Sequence, residues 1–356
     1  MTRILTACLS AAALLALSAL PKPALAATER EDFKVCWSIY VGWIPWEYGN
    51  AQGIVDKWAD KYGINIDVVQ INDYIESINQ YTAGQYDGCT MTNMDALTIP
   101  AAGGVDTTAL IVGDFSDGND GIILKDKTKL ADIKGQNVNL VELSVSHYLL
   151  ARALETVGMS ERDVTVVNTS DADLVAAYQT KDVTSVVTWN PLLSAIAEQP
   201  GAHTVFDSSD IPGEVIDLMV VNTDTLKANP KLGKALAGAW YEITAHMADD
   251  GETGKQARAA MGEIAGTDRA GFEAQLEATR MFYKPADAVK FVNSPDVKTT
   301  MQRVAEFSFD HGLLGEGAPD AGFVGVETPS GVFGSESNVK LRFDPTYMQM
   351  AADGEL

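Results

Sequence analysis

From Phe33 onward the chain alternates short β-like runs with stretches whose apolar residues recur every three or four positions. Residues 33–37 read as a first strand. Residues 51–62 carry Ile54, Val55, Trp58 and Tyr62 at helical spacing and stop at Gly63. A strand at 64–71 leads to a helix bearing Tyr74, Ile75, Ile78 and Tyr81. Strand 86–91, a helix opened by Asn93 and strand 107–113 follow. Repeated strand–helix units predict α/β lobes, each a mostly parallel sheet flanked by helices.

A second series begins at Gly121. Strands at 121–125 and 137–142 precede a helix over 145–157, and strand, helix and strand follow at 163–167, 172–179 and 184–188. Asn190-Pro191 has the cap and first-turn proline of a helix start, and 215–221 is a further strand. Helices over 230–247, 254–264, 269–280 and 295–311 lead to a glycine-rich tail expected to wrap the surface. Two α/β series predict two lobes with crossings near 115–121 and 220–223. Residues 32–118 and 223–356 then form a discontinuous lobe 1, and 119–222 form lobe 2. Ligands of open α/β sheets bind beyond the carboxyl ends of the strands, so facing lobes define one inter-lobe cleft.

Residues 1–26 are set apart as a signal peptide: Arg3, an apolar run, then Ala24-Leu25-Ala26 as a small-x-small cleavage site after Ala26. Cys8 lies inside the apolar run, which disfavours a lipoprotein anchor. This predicts export to the periplasm. The formal net charge of −23 argues against nucleic acid and anionic membranes as partners. Cys36 and Cys89 remain after processing, and a bridge or two separate core thiols are both open. Histidines 147, 203, 246 and 311 are scattered without ligand spacing, so no metal and no cofactor are expected.

Residues 38–49, SIYVGWIPWEYG, crowd Tyr40, Trp43, Trp46 and Tyr48 around Gly42 and Pro45. That density predicts a loop presenting flat rings at a cleft mouth, or one covering a sheet edge. Ser144-Val145-Ser146-His147 before a helix resembles the alkanesulfonate- and taurine-binding periplasmic proteins, as does the strand ending Thr188-Trp189-Asn190-Pro191. Trp43-Ile44-Pro45-Trp46 resembles the aromatic loop of pyrimidine-precursor binders, and residues 130–135 a turn common to type II periplasmic binding proteins. The resemblance covers about 34–229, and the whole chain most resembles the binding proteins encoded beside urea or guanidine carboxylases. It implies a monomeric, non-enzymatic binding protein that serves an ABC permease and ATPase in nitrogen uptake.

The cleft chemistry departs from an anion site. Loops at 40–50, 90–98, 114–121, 142–147, 188–192 and 214–218 hold Asp95, Asp120, Glu142 and Asp217 but no lysine or arginine. A buried carboxylate without a cation is costly, and aromatic faces attract cations. A small cation rich in N–H donors is therefore expected, guanidinium first. Urea comes next, using Asn93, Ser144, Ser146 and Asn190. Tyr40, Trp43, Trp46 and Trp189 are the candidate stacking rings. The alternatives are a thiaminase-like or pyrimidine-forming enzyme on the same fold, and a sulfonate binder of the taurine type.

Overall fold

The computed structural model describes residues 29–356; the leader and its cleavage site lie outside the described residues. Strands β1 (Asp32–Trp37), β2 (Asn65–Gln70), β3 (Gly88–Thr92) and β4 (Thr107–Ser116) open the chain. Next come β5 (Asp120–Lys125), β6 (Asn137–Leu140), β7 (Thr165–Asn168), β8 (Ser185–Trp189) and β9 (Ala202–Asp207). The last are β10 (Ile216–Asn222), β11 (Thr279–Met281), β12 (Gly325–Thr328), β13 (Gly331–Phe333) and β14 (Val339–Phe343).

They form two sheets. The larger runs β13-β12-β14-β4-β10-β3-β1-β2 with β11 paired to β4, and the smaller runs β7-β6-β8-β5-β9. Each sheet defines one lobe. Neither is mostly parallel: β10 is antiparallel to both β3 and β4, and β5 to both β8 and β9. Strand alternation in sequence does not reveal direction, because a strand that crosses from the other lobe enters from the opposite side. β10 does this, and it lies in the larger sheet although it closes the second α/β series in sequence. The tail does more than wrap the surface, since β12 and β14 extend the larger sheet beyond β4.

Helices cover both sheets. The Pro230–Ala248 helix buries Leu232, Leu236, Trp240 and Ile243. Gly238 on it lets the Trp58 ring lie directly against the backbone, where a Cβ would come within 2.3 Å of the ring. Residues 45–51 are helical rather than loop, with Pro45 in the first turn where its missing N–H costs nothing. Trp46 consequently turns inward and stacks on Trp240 at 5.2 Å. Cys36 and Cys89, partners in the β1–β3 pairing, form a disulfide inside the larger lobe.

The bridge closes a loop with a sequence separation of 53. Replacing both cysteines by alanine should lower unfolding free energy by about 2–4 kcal/mol in urea titration; unchanged stability would show that the bridge adds nothing to the fold.

Candidate functional site

The two sheets meet end to end, and four aromatic rings gather where they do. Tyr40 follows β1, Trp43 lies in the turn after it, Tyr74 opens the Tyr74–Thr82 helix, and Trp189 ends β8. Tyr40 and Trp43 pack edge to face at 4.9 Å, Trp43 and Tyr74 lie 5.6 Å apart, and Tyr74 and Trp189 5.5 Å. The lobes are in contact here. Val41 N–H donates to the carbonyl of Asn190 at 3.2 Å, and Trp189 Nε1–H to that of Ile39 at 3.0 Å.

These rings enclose a cavity together with Thr92, Asp120, Val145 and Asp217. It is small, with a volume of about 10 Å³, room for roughly one water. Asp217 and Asp114 are directly opposed across the β10–β4 pairing, where like charges repel. Asp114 is 0 % exposed, Asp217 2 %, Asp120 3 % and Asp95 0 %. Among the described residues, none of the four takes part in an ion pair.

Hydroxyl groups satisfy part of this charge. Tyr40 donates to Asp114 Oδ1 at 2.8 Å, while Tyr74 and Thr92 donate to Asp95 Oδ2 at 2.7 and 2.8 Å. Asp95 Oδ1, Asp114 Oδ2 and Asp217 Oδ2 receive no donor from the protein. Gly42 makes room for Asp114: a Cβ at that position would lie 2.5 Å from Asp114 Oδ2.

Burial pushes the Asp95 carboxyl up to about 6, against hydrogen bonds from Tyr74, Thr92 and the Val145 amide. Burial likewise raises Asp114 to about 7, and Asp120 to about 7 with help from the charges of Asp114 and Asp95. Asp217 rises well above the usual carboxylate range through burial, then through Asp114 and Asp120. Asp114 and Asp217 face each other across the sheet, so the charge of Asp114 opposes ionisation of Asp217. The Val145 amide opens a helix, where an anion is favoured. Here the chain's own Asp95 carboxylate lies beside that helix start.

Of the residues expected from sequence, Tyr40, Trp43, Asp120, Trp189 and Asp217 line the cavity, and Asp95 backs it through Tyr74 and Thr92. The others lie elsewhere. Trp46 is core. Glu142 is exposed, because its strand ends before it and the chain turns outward. Asn93 is used up on backbone, donating to the Glu214 carbonyl at 3.1 Å and accepting from Ile216 N–H at 3.0 Å. Asn190 Oδ1 accepts from Ser194 N–H at 2.9 Å, in the first turns after the chain leaves β8. Ser144 caps its helix and donates to the Val141 carbonyl at 2.7 Å. Ser146 is buried beside it, and neither serine lines the cavity.

Asp114, Tyr74 and Thr92 went unrecognised. Asp114 had a signal: an acid inside the apolar run TTALIVGDFS, the same anomaly that marks Asp217. Tyr74 reads as a helix-face core residue, and only its first-turn position lets its hydroxyl reach Asp95. Away from this cavity, His147 and His311, remote in sequence, meet around Glu161.

Two lobes closing on a buried cavity define the type II periplasmic binding-protein fold, and known proteins agree. Residues 37–264 match the NMT1-like family, and the chain belongs to it. A candidate aliphatic-sulfonates-binding protein of Escherichia coli (strain K12) is 28 % identical over 185 residues, 52 % of this chain and 55 % of that protein. The taurine-binding periplasmic protein of the same strain is 29 % identical over 120 residues, 33 % and 37 % of the two chains. The chain thus spans about half the length, or less, of these relatives. The alkanesulfonate-binding protein SsuA from Xanthomonas axonopodis pv. citri, solved bound to MOPS, superposes with a TM-score of 0.66 at 16 % identity. That superposition covers 82 % of this chain and 96 % of SsuA.

The raised carboxyls set the pH dependence of the ligand-free protein. The folded state holds protons that the unfolded chain releases near pH 4, so stability falls as pH rises from about 4 through about 7. For Asp120 alone the effect is on the order of 4 kcal/mol above pH 7. Asp217→Asn removes an opposed charge at nearly constant shape and should stabilise the ligand-free protein at pH 8 by roughly 1–3 kcal/mol. Thermal melts from pH 5 to 8 check both expectations; a melting temperature that climbs with pH, or a destabilised Asp217→Asn, contradicts them.

Proposed function

We propose that this chain is the periplasmic solute-binding component of an ABC importer and that its ligand is a small cation rich in N–H donors, guanidinium before urea. One observation carries the ligand reading: buried Asp120 and Asp217 line an aromatic-walled cavity, buried Asp95 and Asp114 stand behind it, and among the described residues none of the four pairs with a cation. Guanidinium is planar, so it can lie on an aromatic face, and its N–H edges pair with carboxylates in a bidentate fork. The unsatisfied oxygens of Asp114 and Asp217 are acceptors of the required kind. Urea carries no charge to offset the acids, and of the amides it would use, Asn93 is committed to backbone and Asn190 Oδ1 to Ser194.

Transport follows from closure. Ligand that bridges residues of both lobes favours the closed form, and that form is what a permease and its ATPase would recognise. The binding names of the relatives support a non-enzymatic role over a thiaminase-like one. With Cys36 and Cys89 paired, the cavity also has no thiol nucleophile.

A second reading has its own support, because two relatives are named for aliphatic sulfonates and taurine. A sulfonate would have to enter beside Asp114, Asp120 and Asp217 without a lysine or arginine, so the site could admit it only with those acids protonated.

Calorimetry at pH 7.5 with guanidinium, urea, methylguanidine, choline and taurine separates these readings. Guanidinium should bind with a dissociation constant below 1 μM, about 8 kcal/mol of net binding. Urea should bind at least 100-fold more weakly and taurine not at all, and Asp217→Asn should weaken guanidinium at least 100-fold. Tight taurine binding with no response to guanidinium would transfer the assignment to the sulfonate class.

A further inference from the structure

A second cluster lies between the smaller lobe and the long Pro295–Asp310 helix, with His147 buried and Glu161 and His311 half-buried at the edge of a groove. His147 belongs to the first turn of the Val145–Thr156 helix, Glu161 follows that helix, and His311 caps the C-terminus of Pro295–Asp310. Glu161 sits between the imidazoles, Oε1 facing His147 Nε2 and Oε2 facing His311 Nε2, the latter at 2.6 Å. One donor atom from each residue lies within 4.8 Å of the other two. We infer that His147 Nε2, a Glu161 oxygen and His311 Nε2 form a binding site for a transition-metal dication of the zinc type.

The surroundings fit that chemistry. Two imidazoles and a carboxylate are the donor set of an open three-ligand zinc site, with solvent supplying a fourth position. Hard magnesium and calcium prefer all-oxygen shells, so nitrogen donors select against them. His311 is already oriented, because its Nδ1–H donates to the Phe307 carbonyl at 2.8 Å and leaves Nε2 to face the carboxylate. Such an outer hydrogen bond fixes a ligating histidine's tautomer and ring plane. The Phe307 ring stacks on His311 at 4.0 Å and supports it from behind.

The groove is open to solvent, about 670 Å³, and carries Glu155, Glu306 and Asp310 besides Glu161, so the local charge attracts a cation. Its arginines are paired: Arg152 and Arg303 both bind Glu214, each at 2.9 Å, and Arg152 also binds Glu155, which leaves Glu161, Glu306 and Asp310 as the acids that attract a cation.

His147 is less prepared. Its Nδ1 accepts the Leu143 N–H at 3.1 Å, which holds the proton on Nε2 toward Glu161. Metal binding moves that proton to Nδ1 and gives up the part-buried Leu143 hydrogen bond. This cost sets the affinity below that of a site with both histidines preset. Because the ligands come from the smaller lobe and from a helix packed on the larger sheet, a bound metal would also tie the lobes together.

The test uses the full chain with Zn2+ alone, measured by calorimetry and thermal melting, with Mg2+ as a control and no organic ligand present. One Zn2+ per chain should bind and raise the melting temperature, while Mg2+ at the same concentration does neither. His311→Ala and Glu161→Gln should each weaken binding at least tenfold, and His203→Ala, an exposed histidine outside the cluster, should not. Co2+ should develop the intense visible absorption of a four-coordinate site, lost in His147→Ala. Metal-free melts of each variant identify any loss that comes from misfolding. No Zn2+ binding by the wild-type chain, or binding unchanged in folded His147→Ala and His311→Ala proteins, would overturn the assignment.

Discussion

Opposed carboxyl groups at Asp114 and Asp217 are the constraint on which the cavity depends. A sheet partnership fixes them face to face, and burial keeps water from screening them. The nearby hydroxyls of Tyr40, Tyr74 and Thr92 offset some of the cost without adding positive charge. Protons held well above the ordinary carboxylate range offset the rest. A sheet tolerates such an arrangement only when something else gains from it. In the proposed function that gain is electrostatic: the protein stores an unmet demand for positive charge in a space too small for a large molecule.

The fold builds this arrangement by bringing strand ends together from both sheets. β10 runs against β3 and β4, so its first residues lie level with their last, and Asp217 meets Thr92 and Asp114. β5 and β8 deliver Asp120 and Trp189 as cross-strand partners from the other lobe. Every wall of the cavity therefore combines residues far apart in the chain, and opening the lobes would dismantle it. In the proposed function, binding and closure are one event. The solved alkanesulfonate-binding protein shares the fold. In this chain the helix start at Val145 has the Asp95 carboxylate beside it, and in the proposed function that acidic setting calls for a cation.

Much of this was legible in sequence because burial leaves a period behind. The strand–helix alternation gave the two α/β lobes, and acids in basic-free loops pointed to Asp95, Asp120 and Asp217. Strand direction was not legible, since hydrophobic pattern is blind to it, and the mixed sheets went unforeseen. Trp46 and Glu142 lie away from the cavity for a local reason: Trp46 is the second residue of a helix rather than part of a loop, and Glu142 lies two residues past the end of β6. Asn93 and Asn190 failed because polar side chains near strand ends are often needed by the backbone. The histidine cluster was invisible, since its members are 14 and 150 residues apart and meet only through tertiary packing.

The central claim is that a cation displaces protons from the buried carboxyl groups. Calorimetric titration of guanidinium at pH 6.5, repeated in buffers of different ionisation enthalpy, measures that exchange directly. Net proton release on binding, with affinity that rises as pH is raised toward 8, is the predicted result. Proton uptake, or affinity that improves as the solution is acidified, would contradict the account.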